Sequence, residues 1–186
     1  MRTMCRIMAV AMCLAILMSL AGCGPKDNRI TLTYAPVGQP GGCIGSVGVT
    51  SILDARQDKM LGHNQSVAFR PEGREVDQWV QQALMDEFSV RGCLVESLKE
   101  GKPRFIIGGE VHAARLVTDG MDHVLDLDVR LTLLEGDRVV LKKSYAGHWE
   151  QQIFPASREK SEALFASSLS ELLGQAVSEF TTAMSQ

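Results

Sequence analysis

From Leu125 to Leu133 the chain alternates without a break. Leu125, Leu127, Val129, Leu131 and Leu133 take one face of the predicted strand, and Asp126, Asp128, Arg130 and Thr132 take the other. A period of two with one wet face predicts an antiparallel strand lying over a core. Turn formers flank it, Thr118-Asp119-Gly120 before and Glu135-Gly136-Asp137 after. The runs Arg104 to Val117 and Arg138 to Phe154 therefore read as its hairpin partners, and Pro155 ends the last of them. Upstream, Ile30, Leu32 and Tyr34 share one face of a short strand over Arg29 to Pro36. Cys43 to Leu53 is small and β-branched, with glycines where another element can approach closely, and reads as a buried strand. Cys93 to Ser97 is a further short strand.

Two segments change period. Over Glu75 to Arg91, the residues Val76, Trp79, Val80, Ala83, Leu84 and Phe88 recur every three or four positions and form one apolar stripe. Glu75 and Asp77 suit the first turn of that helix, and Gly92 suits a left-handed residue after its last turn. Trp79 lies within the stripe and reads as core. Arg158 to Met184 keeps the same period through Phe165, Leu169, Leu172, Leu173, Ala176, Val177, Phe180 and Met184, with Ser157 as N-cap. The opposite side of this helix is polar and small, with Ser161, Ser167, Ser170, Glu171 and Ser178. The predicted order is ββαββββα. It implies an α/β (α+β) fold, a two-layer sandwich with a mixed, mostly antiparallel sheet and both helices on one face.

Between the second strand and the first helix, Asp54 to Arg74 is polar and broken by Gly62, Pro71 and Gly73. It reads as a long surface loop with room for a short strand at Ser66 to Phe69. Long loops on a rigid scaffold concentrate binding residues, so Asp54, Arg56, Lys59 and Arg70 become candidate contact residues. An exposed Asp54/Arg56 pair contributes little to stability, and replacing Arg56, Lys59 and Arg70 by Ala is expected to leave the fold intact.

The amino-terminal pattern is of another kind. Arg2 and Arg6 precede the 14 uncharged residues Ile7 to Leu20. The run is too short to cross hydrocarbon, which takes about 20 helical residues, and it fits the apolar region of an export signal. It ends on Leu20-Ala21-Gly22-Cys23, which resembles the lipobox of bacterial lipoproteins. The resemblance implies cleavage before Cys23 and acylation of that residue. Two or more acyl chains anchor a protein firmly where one does not. Gly24 stands where an Asp tends to retain such proteins in the inner membrane, which favours the outer membrane, facing the periplasm. The expected division is therefore 1–22 signal peptide, 23–29 lipidated tether and 30–186 a single domain. Six residues of tether reach roughly 20 Å when extended, which holds the domain close to its membrane.

Removing residues 1–22 leaves 164 residues, with 17 basic against 22 acidic, or −5 net. That balance argues against nucleic acid as a partner. Of five cysteines three remain, Cys23, Cys43 and Cys93. In an oxidising compartment Cys43 and Cys93 are either two separately buried thiols or one bridge. Each begins a predicted strand, so the bridge requires those strands to be parallel neighbours. The four histidines share no ligand spacing, and no Cys-x-x-Cys, nucleophile elbow or phosphate loop occurs. Asp126 and Asp128 could face one ion, but Arg130 and Lys142 offer ordinary charge partners. No catalytic residue, metal or cofactor is expected.

Three pieces resemble the YajG family of outer-membrane lipoproteins. They are "VGVTSILDARQD", closing on Asp54-x-Arg56; "VDQWVQQALMDEFSVRGCLVES", a helix running into Arg91-Gly92; and "SYAGHWEQQIFPASREKSEALFASSLSELLGQAVSEF". Cys93 and the glycine-rich approach to the second strand depart from the family. The resemblance implies an envelope lipoprotein without known catalysis and carries over Cys23 alone as a functional residue. Two roles follow as expectations. One is an interaction module that docks on an envelope protein. The other is an auxiliary lipoprotein of lipid or lipopolysaccharide transport, which would need a sizeable apolar pocket.

Overall fold

The computed structural model describes residues 28–186 except 42, 44, 65, 66, 100 and 156. The predicted signal peptide, Cys23 and nearly all of the tether lie outside the described residues. The chain forms β1 (Arg29–Thr31), β2 (Ser46–Asp54), β3 (Gly62–Asn64), β4 (Val67–Ala68), β5 (Arg70–Glu72), α1 (Val76–Val90), β6 (Leu94–Val95), β7 (Phe105–Asp119), β8 (Asp122–Glu135), β9 (Arg138–Gln152) and α2 (Arg158–Met184). It is a mixed α+β sandwich, and both helices pack on one face of the main sheet.

The sheet is organised around β7. On one side β7 pairs β8 along its whole length, and β8 pairs β9, both antiparallel. On the other side β2 runs parallel to its first half and β3 parallel to its second half. The two-residue strands β6 and β4 flank these. The alternation of β8 holds: Leu125, Leu127, Val129, Leu131 and Leu133 are all buried under the helices.

Each helix contributes its stripe to one core. Trp79 of α1 meets Phe165 of α2 edge to face, with ring centroids 6.0 Å apart, and both residues are fully buried. Gly92 takes φ 85° directly after α1, and the Ser157 hydroxyl accepts from the Lys160 N–H at the start of α2.

Three expectations change. The stretch Asp54 to Arg74 is no free loop: β4 falls within the short strand expected at Ser66 to Phe69, but β3 and β5 stand on either side of it. It is anchored through Leu61, whose N–H donates to the Phe69 carbonyl and whose carbonyl accepts from the Leu116 N–H. Gly62 then passes so near β7 that a Cβ there would lie 1.8 Å from the Leu116 carbonyl oxygen, at φ +110°. The first strand does not join the main sheet and instead pairs β5 in parallel.

Finally, the side of α2 read as polar and small is partly covered. Residues 28–41 run as a strap along both helices. The Trp79 indole donates to the Thr33 carbonyl at 2.7 Å, and the Ser170 hydroxyl donates to the Ala35 carbonyl at 2.7 Å. A Cβ on Gly174 would meet Val37 at 2.7 Å. Small residues on α2 therefore make room for backbone, and Ser161, Ser168 and Ser170 are buried.

Phe165→Ala should empty the contact between the helices and cost about 3–5 kcal/mol, measured as a lowered midpoint in urea unfolding.

Candidate functional site

Asp54 closes β2, and Arg56 turns back beneath it. The Arg56 guanidinium grips the Asp54 carboxylate with two parallel bonds, Nε to Oδ1 and Nη2 to Oδ2, each 2.9 Å. Its remaining donors reach three carbonyls: Met60 at 3.1 Å, and Ala114 and Lys59 at 3.3 Å. The Arg56 backbone N–H also donates to Asp54 Oδ1, at 3.1 Å. Arg56 is 5% exposed. It therefore departs from the expected exposed contact residue, since its charge is matched and every carbonyl it holds belongs to the chain's own turn and to β7.

Lys59 stays largely in solvent and adds a second cation to Asp54, Nζ to Oδ1 at 3.2 Å. Burial alone would raise the Asp54 pKa, but the bonds from Arg56 and then Lys59 outweigh it and hold the carboxyl below the usual carboxylate range. Arg70 sits on β5, exposed, with its N–H donating to the Asn28 carbonyl. Of the four candidates, the structure brings Asp54, Arg56 and Lys59 together as a structural clasp and leaves Arg70 on a different strand.

Cys43 and Cys93 form a disulfide with Cα atoms 5.1 Å apart. Their strands run parallel as neighbours, Ser46 opposite Leu94 and Val47 opposite Val95, so their starting ends meet. The bridge ties the chain just past the strap to Cys93, which follows Arg91 and Gly92 at the end of α1.

A cleft of about 320 Å³ opens where β1 enters the domain, lined by Ile30, Phe69, Thr118, His123 and Ser157 among others. Of its hydroxyls, Ser157 caps α2 and Ser161 donates to the Ser157 carbonyl, while Thr118 Oγ1 is buried with no hydrogen-bond partner among the described residues. His123 Nδ1 lies 3.1 Å from the Met121 carbonyl and serves the hairpin turn. On the open face of the sheet, Asp126 pairs His148 at 2.6 Å, and Asp128 accepts from Ser144 at 2.8 Å. Each aspartate is thus engaged with β9. No group of three or more metal-ligating side chains occurs among the described residues.

One polar group was missed by reading apolar periodicity. Glu87 lies on the buried stripe of α1, fully inaccessible. It accepts from the Tyr34 hydroxyl at 2.7 Å and the Val37 N–H at 3.0 Å, and Arg91 pairs with it at 3.1 Å. Arg91 in turn donates to the Gly174 carbonyl of α2 at 2.9 Å. Burial, and then Glu87, push the Tyr34 hydroxyl well above its ordinary range. The available signal was the spacing Glu87-x-x-x-Arg91 at the edge of an apolar stripe.

No protein-family model and no curated protein sequence matches the chain. Among solved structures it is similar to protein XCC0632 from Xanthomonas campestris, described as DUF330. That match has 10% identity over 83% of this chain and 95% of that chain, with TM-score 0.63. A second structure, described only as an uncharacterized protein, matches at 14% identity over 81% and 99%, with TM-score 0.56. Lipoprotein GNA1162 from Neisseria meningitidis matches at 11% identity over 76% and 99%, with TM-score 0.40. At such identities the first two likenesses are of fold alone.

Arg56→Ala should destabilise by about 2–3 kcal/mol, because it orphans three carbonyls and removes the chief partner of Asp54. Lys59→Ala and Arg70→Ala should each stay within about 0.5 kcal/mol. Asp54 has a depressed folded pKa, so its contribution is present above about pH 4 and is lost as pH falls through the folded value. Unfolding curves of wild type and Arg56→Ala should therefore converge on acidification.

Reduction should remove up to about 4 kcal/mol for a loop of 50 residues on the chain-entropy model. Urea unfolding with and without dithiothreitol measures this loss.

Proposed function

We propose that the chain is a lipid-anchored envelope lipoprotein of the outer membrane, facing the periplasm, and that its domain serves as an interaction and assembly module without catalysis of its own. The observation that carries the reading is Leu20-Ala21-Gly22-Cys23, set at the end of an uncharged run and only five residues ahead of Asn28. No helix among the described residues is long and apolar enough to cross a membrane, so an acyl anchor on Cys23 gives the domain its attachment. The YajG likeness of the three quoted segments supports the same reading.

Within the domain, the charged groups Glu87, Arg91, Asp54 and Arg56 are engaged in holding the strap, the helices and the turn after β2. This arrangement favours a module recognised by its surface. With Arg56 buried, Lys59 and Arg70 are the candidate loop residues left for an envelope protein partner. A role as a lipid or lipopolysaccharide transport auxiliary would need the helices to part from the sheet, against the single core that both helix stripes share with β8.

Cys23→Ser should abolish incorporation of radioactive fatty acid and leave the precursor uncut. In wild-type cells the labelled protein should sediment with the outer membrane. Undiminished label in the mutant would refute the lipoprotein reading.

A further inference from the structure

We propose that two copies of this chain join edge to edge through β9, antiparallel about Ala146, to form one continuous sheet. The proposal goes beyond membrane attachment and does not depend on it.

The strand β9 has 15 residues and pairs only β8. Among the described residues no backbone hydrogen bond reaches its outer side. The opposite margin of the sheet is different, since it is finished by the two-residue strands β6 and β4. Long open edges present a row of unpaired N–H and C=O groups that templates another strand.

The residues of β9 select a second copy as the occupant. In a two-fold antiparallel pair, facing residues share a face of the sheet, so the axis passes through a residue. Centred on Ala146, Lys142 stands opposite Glu150, twice. Centred one residue to either side, Lys142 would face His148 or Gln152. Lys142 and Glu150 are both exposed on the open face, and Lys142 has no ion partner among the described residues. Opposite charges facing one another across strands are stabilising.

At the centre, Ala146 and Gly147 are the smallest residues of the strand and allow close approach.

The test uses the full chain in intact cells, oxidised with copper phenanthroline and run on non-reducing gels. Ala146→Cys lies at the axis, so the two thiols should bridge directly and give a species of twice the monomer mass that contains this chain alone. Wild type supplies the background, and Asp137→Cys, exposed in the β8–β9 turn, should add nothing to it. Adding Lys142→Glu to the Ala146→Cys variant should remove most of the bridged species. Adding Glu150→Lys as well should restore it. Far-ultraviolet circular dichroism and a urea unfolding midpoint close to wild type check that each variant is folded. A folded Ala146→Cys variant that stays monomeric, a bridge to a different protein, or a charge swap that fails to restore the bridge would overturn the proposal.

Discussion

The fold is organised around a carboxylate with no access to water. Glu87 sits on the buried side of α1, where an unpaired charge would cost several kcal/mol. Its three partners come from two directions: Tyr34 and Val37 from the strap, and Arg91 from the end of its own helix. Arg91 then reaches the backbone of α2 at Gly174. The burial of Glu87 is acceptable only while the strap lies across both helices, and the strap is held there partly by Glu87. Gly38 fits this geometry, since a Cβ would come within 2.7 Å of Glu87 Oε1 and 2.8 Å of Arg91. The two helices, the strap and the sheet beneath are thus settled together.

The same logic governs the clasp at the end of β2. Arg56 spends its donors on Asp54 and on carbonyls that neither strand pairing nor water would satisfy, and so converts a polar stretch into a fixed corner. The corner delivers Leu61 to the core and sets β3 beside β7. In both clusters the buried charges turn inward and are paired, as buried polar groups ordinarily are, while Lys59 of the clasp stays largely in solvent. The likeness to XCC0632 over most of both chains at 10% identity shows that this architecture is reached by very different sequences.

Regular elements were legible because their periods are long. β8 and both helix stripes repeat for enough residues that burial follows from position alone, and Ser157 and Gly92 mark their ends chemically. Elements of two or three residues carry no such period. β4 falls within the short strand read at Ser66 to Phe69, but β3 and β5 are set by tertiary partners, by the Leu61 bond to Leu116 of β7 and by Arg29 opposite Arg70, and the glycines and proline around them read as loop. Arg56 was misread because a charged residue in a polar run is usually solvated; only the fold reveals the three carbonyls converging on it. The serines of α2 read only as a polar, small side of the helix, and it takes the fold to show that their small size lets the strap pass. Cys43 and Cys93 could be related to the sheet only through the condition that their strands be parallel neighbours, which sequence alone left open.

The strap also has a mechanical consequence. Any load applied at the amino-terminal end enters at Asn28 and travels along the strap, parallel to the helices, so its hydrogen bonds to Trp79, Ser170 and Glu87 are pulled in shear and resist together. Were they to yield, the pull would next reach Cys43, whose covalent bond to Cys93 passes it to the end of α1 and relieves the first turns of β2. A domain held by its amino terminus is thereby protected from being peeled open strand by strand. The covalent stop stands at the last point before the core.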